Sequence, residues 1–202
     1  STTGLVDACR RTWSLPLLER LRTEIGLDLD GLLPDIIEPG TVIGTVRPEA
    51  ADIFGPDGRP TPVIAVGSHD TASAVVSVPA TDSDFAYVSC GTWSLVGLEL
   101  DEPVLTEASR TANFTNELGV DHTVRYLKNI MGLWMIQSVR KEIAPDMSFA
   151  EICRLAEKEK IKSLVDANDP RFLAPASMAR EVQTACEEKG QEVPQGIVSW
   201  QV

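Results

Sequence analysis

Two histidines, His69 and His122, and four cysteines are all the soft metal ligands this 202-residue chain carries. Cys9, Cys90, Cys153 and Cys186 are scattered, and no two form a C-x-x-C pair. That spacing excludes a structural zinc site, so no protein-held metal is expected. It also excludes a disulfide scaffold and fits a reducing compartment, the cytoplasm. No signal-peptide pattern is visible, and no apolar run approaches the ~20 residues that cross a bilayer, so no membrane partner is expected. Basic side chains are scarce too: 18 Lys and Arg stand against 30 Asp and Glu, for a net charge of −12 and a pI near 4.6. Such a surface repels a polyphosphate backbone, which excludes nucleic acid as a partner. The phosphate loop G-x-x-x-x-G-K-[ST] and the fingerprint G-x-G-x-x-G are both missing. So is a G-x-S-x-G elbow, which leaves a Ser/His/Asp hydrolase without a placed nucleophile. Glu19, Glu24, Glu107 and Glu117 form no paired-carboxylate site.

What is present is an ordinary globular mixture, 43% hydrophobic and 24% charged, with apolar content too high for disorder. The length allows one large domain or parts of two. The chain opens Ser-Thr-Thr-Gly without Met and closes Gly-Ile-Val-Ser-Trp-Gln-Val, which reads as an internal piece of a longer protein.

Periodicity predicts a helix over 15–25, with Ser14 and Pro16 at its start and Gly26 at its stop. A strand is expected over 41–46, after the Glu38-Pro39-Gly40 turn, and Asp57-Gly58 marks another turn. The apolar run 62–67 reads as a buried strand leading into a helix over 71–78. That is an α/β unit, with its loop at the carboxyl end of a strand, where ligands bind in such folds. Two strands are expected over 85–100 about Cys90-Gly91-Thr92, and two more over 111–117 and 123–126 around Gly119. Helices follow over 130–143, 149–160 (capped by Ser148) and 178–189 (ended by Gly190), with a short strand over 163–165. Residues 79–84 are the candidate domain boundary.

Three motifs carry possible chemistry, each with an ordinary structural alternative. In Gly67-Ser68-His69-Asp70-Thr71, a carboxylate at a helix start stays ionised beside the positive end of the dipole and can accept a hydroxyl proton. The same residues serve routinely as caps. In Ser89-Cys90-Gly91-Thr92-Trp93, the Gly-Thr turn offers N–H groups and a hydroxyl to a phosphate; it is equally an ordinary hairpin turn. In Lys128-Asn129-Ile130-Met131-Gly132-Leu133-Trp134, Asn129 is expected at the start of the long helix, sharing a face with Gln137. There Asn129 could equally be an N-cap and Gln137 a surface residue.

Taken in order, these strings resemble the FGGY carbohydrate kinases, and within them the rhamnulokinase branch. Ser1-Thr2-Thr3-Gly4-Leu5 with Trp13-Ser14, then Glu38-Pro39-Gly40-Thr41-Val42-Ile43-Gly44, are similar to segments that precede the family's catalytic loop. Gly67-Ser68-His69-Asp70-Thr71-Ala72-Ser73 resembles that loop. Ser89-Cys90-Gly91-Thr92-Trp93-Ser94-Leu95, Asn129-Ile130-Met131-Gly132-Leu133-Trp134 and Asp169-Pro170-Arg171-Phe172 resemble later family segments. The resemblance implies an actin-like, ribonuclease H-like α/β fold. Residues 1–80 would end the amino-terminal domain and 81–202 would begin the carboxyl-terminal one. It implies Asp70 as the base, with His69, Thr71 and Asn129 at the sugar and Thr92 and Gln137 at ATP. The reaction implied is transfer of the γ-phosphate of ATP, with Mg²⁺, to the 1-hydroxyl of L-rhamnulose. Another ketose or polyol, or a non-catalytic sugar-binding role, remains an alternative. The family's amino-terminal D-x-G-T phosphate motif and its carboxyl-terminal Gly-rich adenosine motif are not in this chain, so the piece alone is expected to be inactive. Residues 197–202 do not resemble the long helix expected next.

Overall fold

In a computed structural model, residues 3–50 and 53–196 are described. The expectations for Ser1-Thr2 and for 197–202 lie outside them. The chain divides into two units. The first holds residues up to Ser89 together with Val96–Lys128, and the second holds Cys90–Leu95 and the residues from Asn129 onward.

The first unit starts with a hairpin of β1 (Val6–Asp7) and β2 (Thr12–Trp13), which the sequence did not announce. The Asp7 carboxylate builds its turn by accepting from the N–H groups of Cys9 and Arg10, each at 3.0 Å. Helix α1 (Leu15–Ile25) follows as expected, with a proline in its first turn and Gly26 closing it in the left-handed conformation. Ser14 sits at the cap position, but its side chain accepts no cap hydrogen bond. Strands β3 (Val42–Thr45) and β4 (Pro62–Ile64) pair antiparallel. The buried strand expected over 62–67 is instead short and largely exposed, with Ile64 and Val66 at the surface. A two-stranded ribbon offers no second layer to cover them. Helix α2 (Asp70–Val76) comes next and buries Thr71, Ala72 and Val75.

A four-stranded sheet then forms in the order β5 (Ala86–Cys90), β6 (Ser94–Leu100), β8 (Val124–Ile130), β7 (Thr115–Leu118). The two expected hairpins are both present. A short helix, α3 (Glu107–Thr111), replaces the start of the strand expected from 111, because Thr106 accepts from Ser109 N–H and caps it. The β7–β8 register places Glu117 opposite Arg125, and the two pair at 2.9 Å with both side chains nearly buried. A buried pair in this position specifies register more than it adds stability.

The second unit is helical. Helix α4 (Leu133–Ile143) begins three residues later than expected, because residues up to Ile130 are held in β8. Asn129 is therefore a strand residue and not the start of a helix, and the helical face it was to share with Gln137 does not exist. The start of α4 is closed by the turn of residues 90–93: Leu133 N–H donates to Gly91 O at 3.2 Å and Trp134 N–H to Thr92 O at 2.9 Å. These are two of the four N–H groups a helix start leaves without partners. Gly132 permits this approach. A Cβ there would lie 2.2 Å from Ser94 Oγ and 3.0 Å from Ser94 N.

Helix α5 (Phe149–Ala156) is shorter than expected and starts in a reciprocal capping box between Ser148 and Glu151. No strand forms over 163–165. A 3-10 turn, Pro170–Phe172, leads to α6 (Met178–Glu188). Its apolar stripe of Met178, Ala179, Val182, Ala185 and Cys186 packs with Met131, Met135, Val139 and Phe172 in one core. Burying such a side chain contributes roughly 1.5–3 kcal/mol. Glu142, at the end of α4, caps α6 from outside. It accepts from Met178 N–H at 2.7 Å, Ser177 Oγ at 2.8 Å and Ala179 N–H at 3.1 Å. Desolvation raises its carboxyl, but the three donors together outweigh that and hold it below its ordinary value. Among the described residues no helix is long and apolar enough to cross a membrane.

Two outcomes are expected. A carboxyl depressed on folding stabilises above its unfolded pKa and loses that contribution as pH falls through the folded value. Glu142→Gln should therefore cost about 1 kcal/mol at pH 7, the size of a lost cap. The gap from wild type should close in acid, as read by urea denaturation at both pH values. Gly132→Ala should cost about 1–3 kcal/mol through overpacking. Ser94→Ala in the same chain should restore only part of that loss, because Ser94 N remains in the way.

Candidate functional site

In the first unit, the chain leaves β4 at Ile64 and enters α2 at Asp70, so Gly67-Ser68-His69 lies in a strand-to-helix loop as expected. Ser73 Oγ donates to Gly67 O at 2.9 Å and folds the loop back on the first turn of the helix. A Cβ on Gly67 would lie 3.3 Å from Ala72 Cβ and 3.4 Å from Ser73 N, a close backbone approach. Asp70 is the first residue of α2, and His69 holds the cap position with no side-chain cap. Asp70 Oδ1 accepts from Thr71 N–H at 2.7 Å and lies 3.2 Å from His69 Nε2. The Asp70 side chain is nonetheless 93% exposed. Its carboxylate is therefore steadied on one oxygen and open to solvent, next to the N–H groups of the helix start. Asp70 thus accepts from the N–H at the second position of its own helix, part of the capping that the routine reading of this loop calls for, while Ser68 is not the residue that makes it. His69 is half-buried, and its Nδ1 is buried without a hydrogen-bond partner among the described residues. Thr71 is buried.

In the second unit, Gly91 N–H donates to Trp93 O at 2.9 Å and tightens the turn that carries Thr92. Thr92 is exposed, and its carbonyl is the one that closes α4. The turn and the helix are thus one rigid piece, and Gln137, half-buried, lies in the second turn of that helix. Asn129 is exposed, next to the end of β8. A cavity of about 360 Å³ lies in this unit, lined by Ser94, Gly132, Leu133, Ile136, Val165 and Cys186 among others. Thr92, Asn129 and Gln137 are not in its wall. The structure therefore joins His69, Asp70 and Thr71 in one loop, and ties Thr92 to the helix of Gln137. Sequence reasoning missed Gly132 and Ser94, whose signal was a small residue opposite a glycine. It also missed Glu142, whose three partners lie at least 35 residues away in the chain.

Residues 86–195 match the family model for the C-terminal domain of the FGGY family of carbohydrate kinases. The rhamnulokinase of Oceanobacillus iheyensis is 43% identical over 96% of this chain and 40% of its own length. That of Enterococcus faecalis is 41% identical over 96% of this chain and 38% of its own length. The chain thus spans about 40% of the length of the curated relatives it matches. Among solved structures, the ligand-bound xylulose kinase of Lactobacillus acidophilus gives a TM-score of 0.60 at 21% identity, over 79% of this chain and 31% of that one. The xylulose kinase of Brucella ovis gives 0.57 at 19% identity, over 95% of this chain and 44% of that one. The fold shared with these structures is the actin-like ATPase fold of the sugar kinases, present here in part. With more than half of its residues inside the family's C-terminal domain, the chain belongs to the FGGY family of carbohydrate kinases.

Proposed function

We propose that the full-length protein is an ATP-dependent sugar kinase that phosphorylates the 1-hydroxyl of L-rhamnulose, with Asp70 as the general base. The observation that carries this reading is the identity of 41–43%, sustained over 96% of the chain, with proteins named rhamnulokinase. The open, helix-start carboxylate of Asp70 supports the assignment of the base. Residues 1–80 would end the amino-terminal domain and 81–202 would begin the carboxyl-terminal one, in keeping with a family match that starts at residue 86. A cytoplasmic setting is supported by four cysteines that are all free.

In this reading Mg-ATP enters as a substrate, its metal bridging phosphate oxygens. Asp70 takes the proton of the sugar 1-hydroxyl as that oxygen bonds to the γ-phosphorus. The bond from the γ-phosphorus to the bridging oxygen of ADP breaks, and rhamnulose 1-phosphate and ADP leave. Such a transfer asks the protein for alignment and charge stabilisation more than for covalent chemistry. His69, beside the Asp70 carboxylate, would orient it and contact the sugar. Thr71 would hold Asp70 through its N–H and complete the sugar contacts. Asn129 would bind a sugar hydroxyl, Thr92 the phosphates and Gln137 the nucleotide. The family's amino-terminal D-x-G-T phosphate motif and its carboxyl-terminal Gly-rich adenosine motif are not in this sequence, so the 202-residue chain by itself is expected to show no turnover.

The test is rhamnulose phosphorylation by the full-length protein with Mg-ATP, beside Asp70→Asn. Loss of a positioned base should lower kcat by about 10²–10⁴-fold, while rhamnulose binding, read by calorimetry, persists. Unchanged kcat would remove Asp70 from the role. Turnover of another ketose or a polyol but not rhamnulose would keep the kinase and change its substrate.

A further inference from the structure

Arg11 makes more side-chain hydrogen bonds than any function assigned above requires. It lies in the β1–β2 turn in the left-handed conformation (φ 55°). Its guanidinium forms a two-pronged pair with Glu38: Nε donates to Oε1 and Nη2 to Oε2, both at 3.1 Å. The remaining donors reach three backbone carbonyls of the β7–β8 turn. Nη2 donates to Gly119 O at 3.2 Å, and Nη1 to Thr123 O at 3.1 Å and His122 O at 3.3 Å. Only the planar five-donor fork of arginine can hold a carboxylate and three carbonyls at once. The Arg11 side chain is 17% exposed, and its bonds to Glu38, Gly119 O and Thr123 O are partly buried. Hydrogen bonding from Arg11 holds the Glu38 carboxyl below its ordinary range.

Each end of this clamp leads somewhere. Glu38 opens the Glu38-Pro39-Gly40 turn, and Thr41 N–H donates back to Glu38 O at 3.2 Å. Gly40 N–H then donates to Ala65 O at 2.8 Å, and Ala65 N–H to Thr41 O at 2.9 Å. Ala65 stands two residues before Gly67, where the loop of Asp70 begins. The other end is the β7–β8 turn, inside the region that matches the family's C-terminal domain. The loop of Asp70 lies outside that region.

We propose that Arg11 is a positioning residue, seating the segment that delivers Asp70 on the β7–β8 turn of the C-terminal family domain. This rests on the kinase reading, in which Asp70 must be aligned with a phosphoryl group. A displacement of about 1 Å can cost such a reaction 10²-fold.

The test uses the full-length protein with Arg11→Gln, Arg11→Lys, Glu38→Gln and the Arg11→Gln/Glu38→Gln pair. Sugar-dependent turnover is read beside amide hydrogen exchange at 65–71 and 119–123. Arg11→Gln should speed exchange in both segments and lower kcat roughly 10- to 100-fold, with KM for sugar and Mg-ATP near wild type. The pair should be no worse than Arg11→Gln alone, and Arg11→Lys should recover only part. Wild-type kcat in Arg11→Gln would overturn the proposal, as would faster exchange at 119–123 with 65–71 unchanged. Should Arg11→Gln fail to fold, Glu38→Gln carries the same two measurements with a side chain of the same shape. Should the wild-type protein turn over no sugar, the kinase reading fails, while exchange at 65–71 still decides whether the clamp exists.

Discussion

The second unit depends on how one helix start is closed. Helix α4 has no side-chain cap, and its first N–H groups are taken by the carbonyls of Gly91 and Thr92. This works only because Gly132 lets the backbone rest against Ser94. From that fixed start α4 presents Met135 and Val139 to the core and ends with Glu142 on the first N–H groups of α6. Helix α6 then lays its apolar stripe back on α4 and Phe172. The turn, the two helices and the core are therefore linked in sequence by unsatisfied helix ends finding acceptors. The exposed hydroxyl residue on the turn inherits its rigidity from that arrangement.

The first unit is organised differently. Its helices are short or exposed, and α1 buries no residue fully. Order comes from directional polar bonds, such as Arg11 on three carbonyls more than 100 residues further along the chain and Arg125 on Glu117 across the β7–β8 hairpin. Its apolar strands β3 and β4 leave Val42, Ile43 and Ile64 about half exposed or more. These are residues that normally seek a second layer. The described residues do not supply one. A β-rich unit with thin layers leans on specific, directional bonds where a helical unit leans on packing.

Local physics made much of this legible. Gly26 and Gly190 stop helices in the left-handed conformation that only glycine adopts without strain. Ser148 and Glu151 announce a capping box three residues apart. The strand-turn-helix pattern around Asp70 placed its loop correctly, because an apolar run, a Gly-Ser break and a helix-forming stretch are local properties. Asn129 was misplaced because Ile130, Leu133, Trp134 and Ile136 suit a helix as well as a strand end. Pairing with neighbouring strands settled the matter, and pairing is not a local property. The same holds for 163–165, whose apolar residues found no strand partner.

The sequence by itself determined which chemistry is available. It set an acidic surface without metal-ligand spacing, a carboxylate at a helix start, a Gly-Thr turn, and the capping residues that delimit most helices. All of these follow from neighbours within a few positions. Only the tertiary structure decided that Asp70 stands open to solvent, that Asn129 lies on a strand, and that Glu142 and Arg11 serve groups 36 and 108 residues away in the chain. Those outcomes depend on which backbone N–H and carbonyl groups remain unpaired once strands and helices have formed, and that balance exists only in the folded chain.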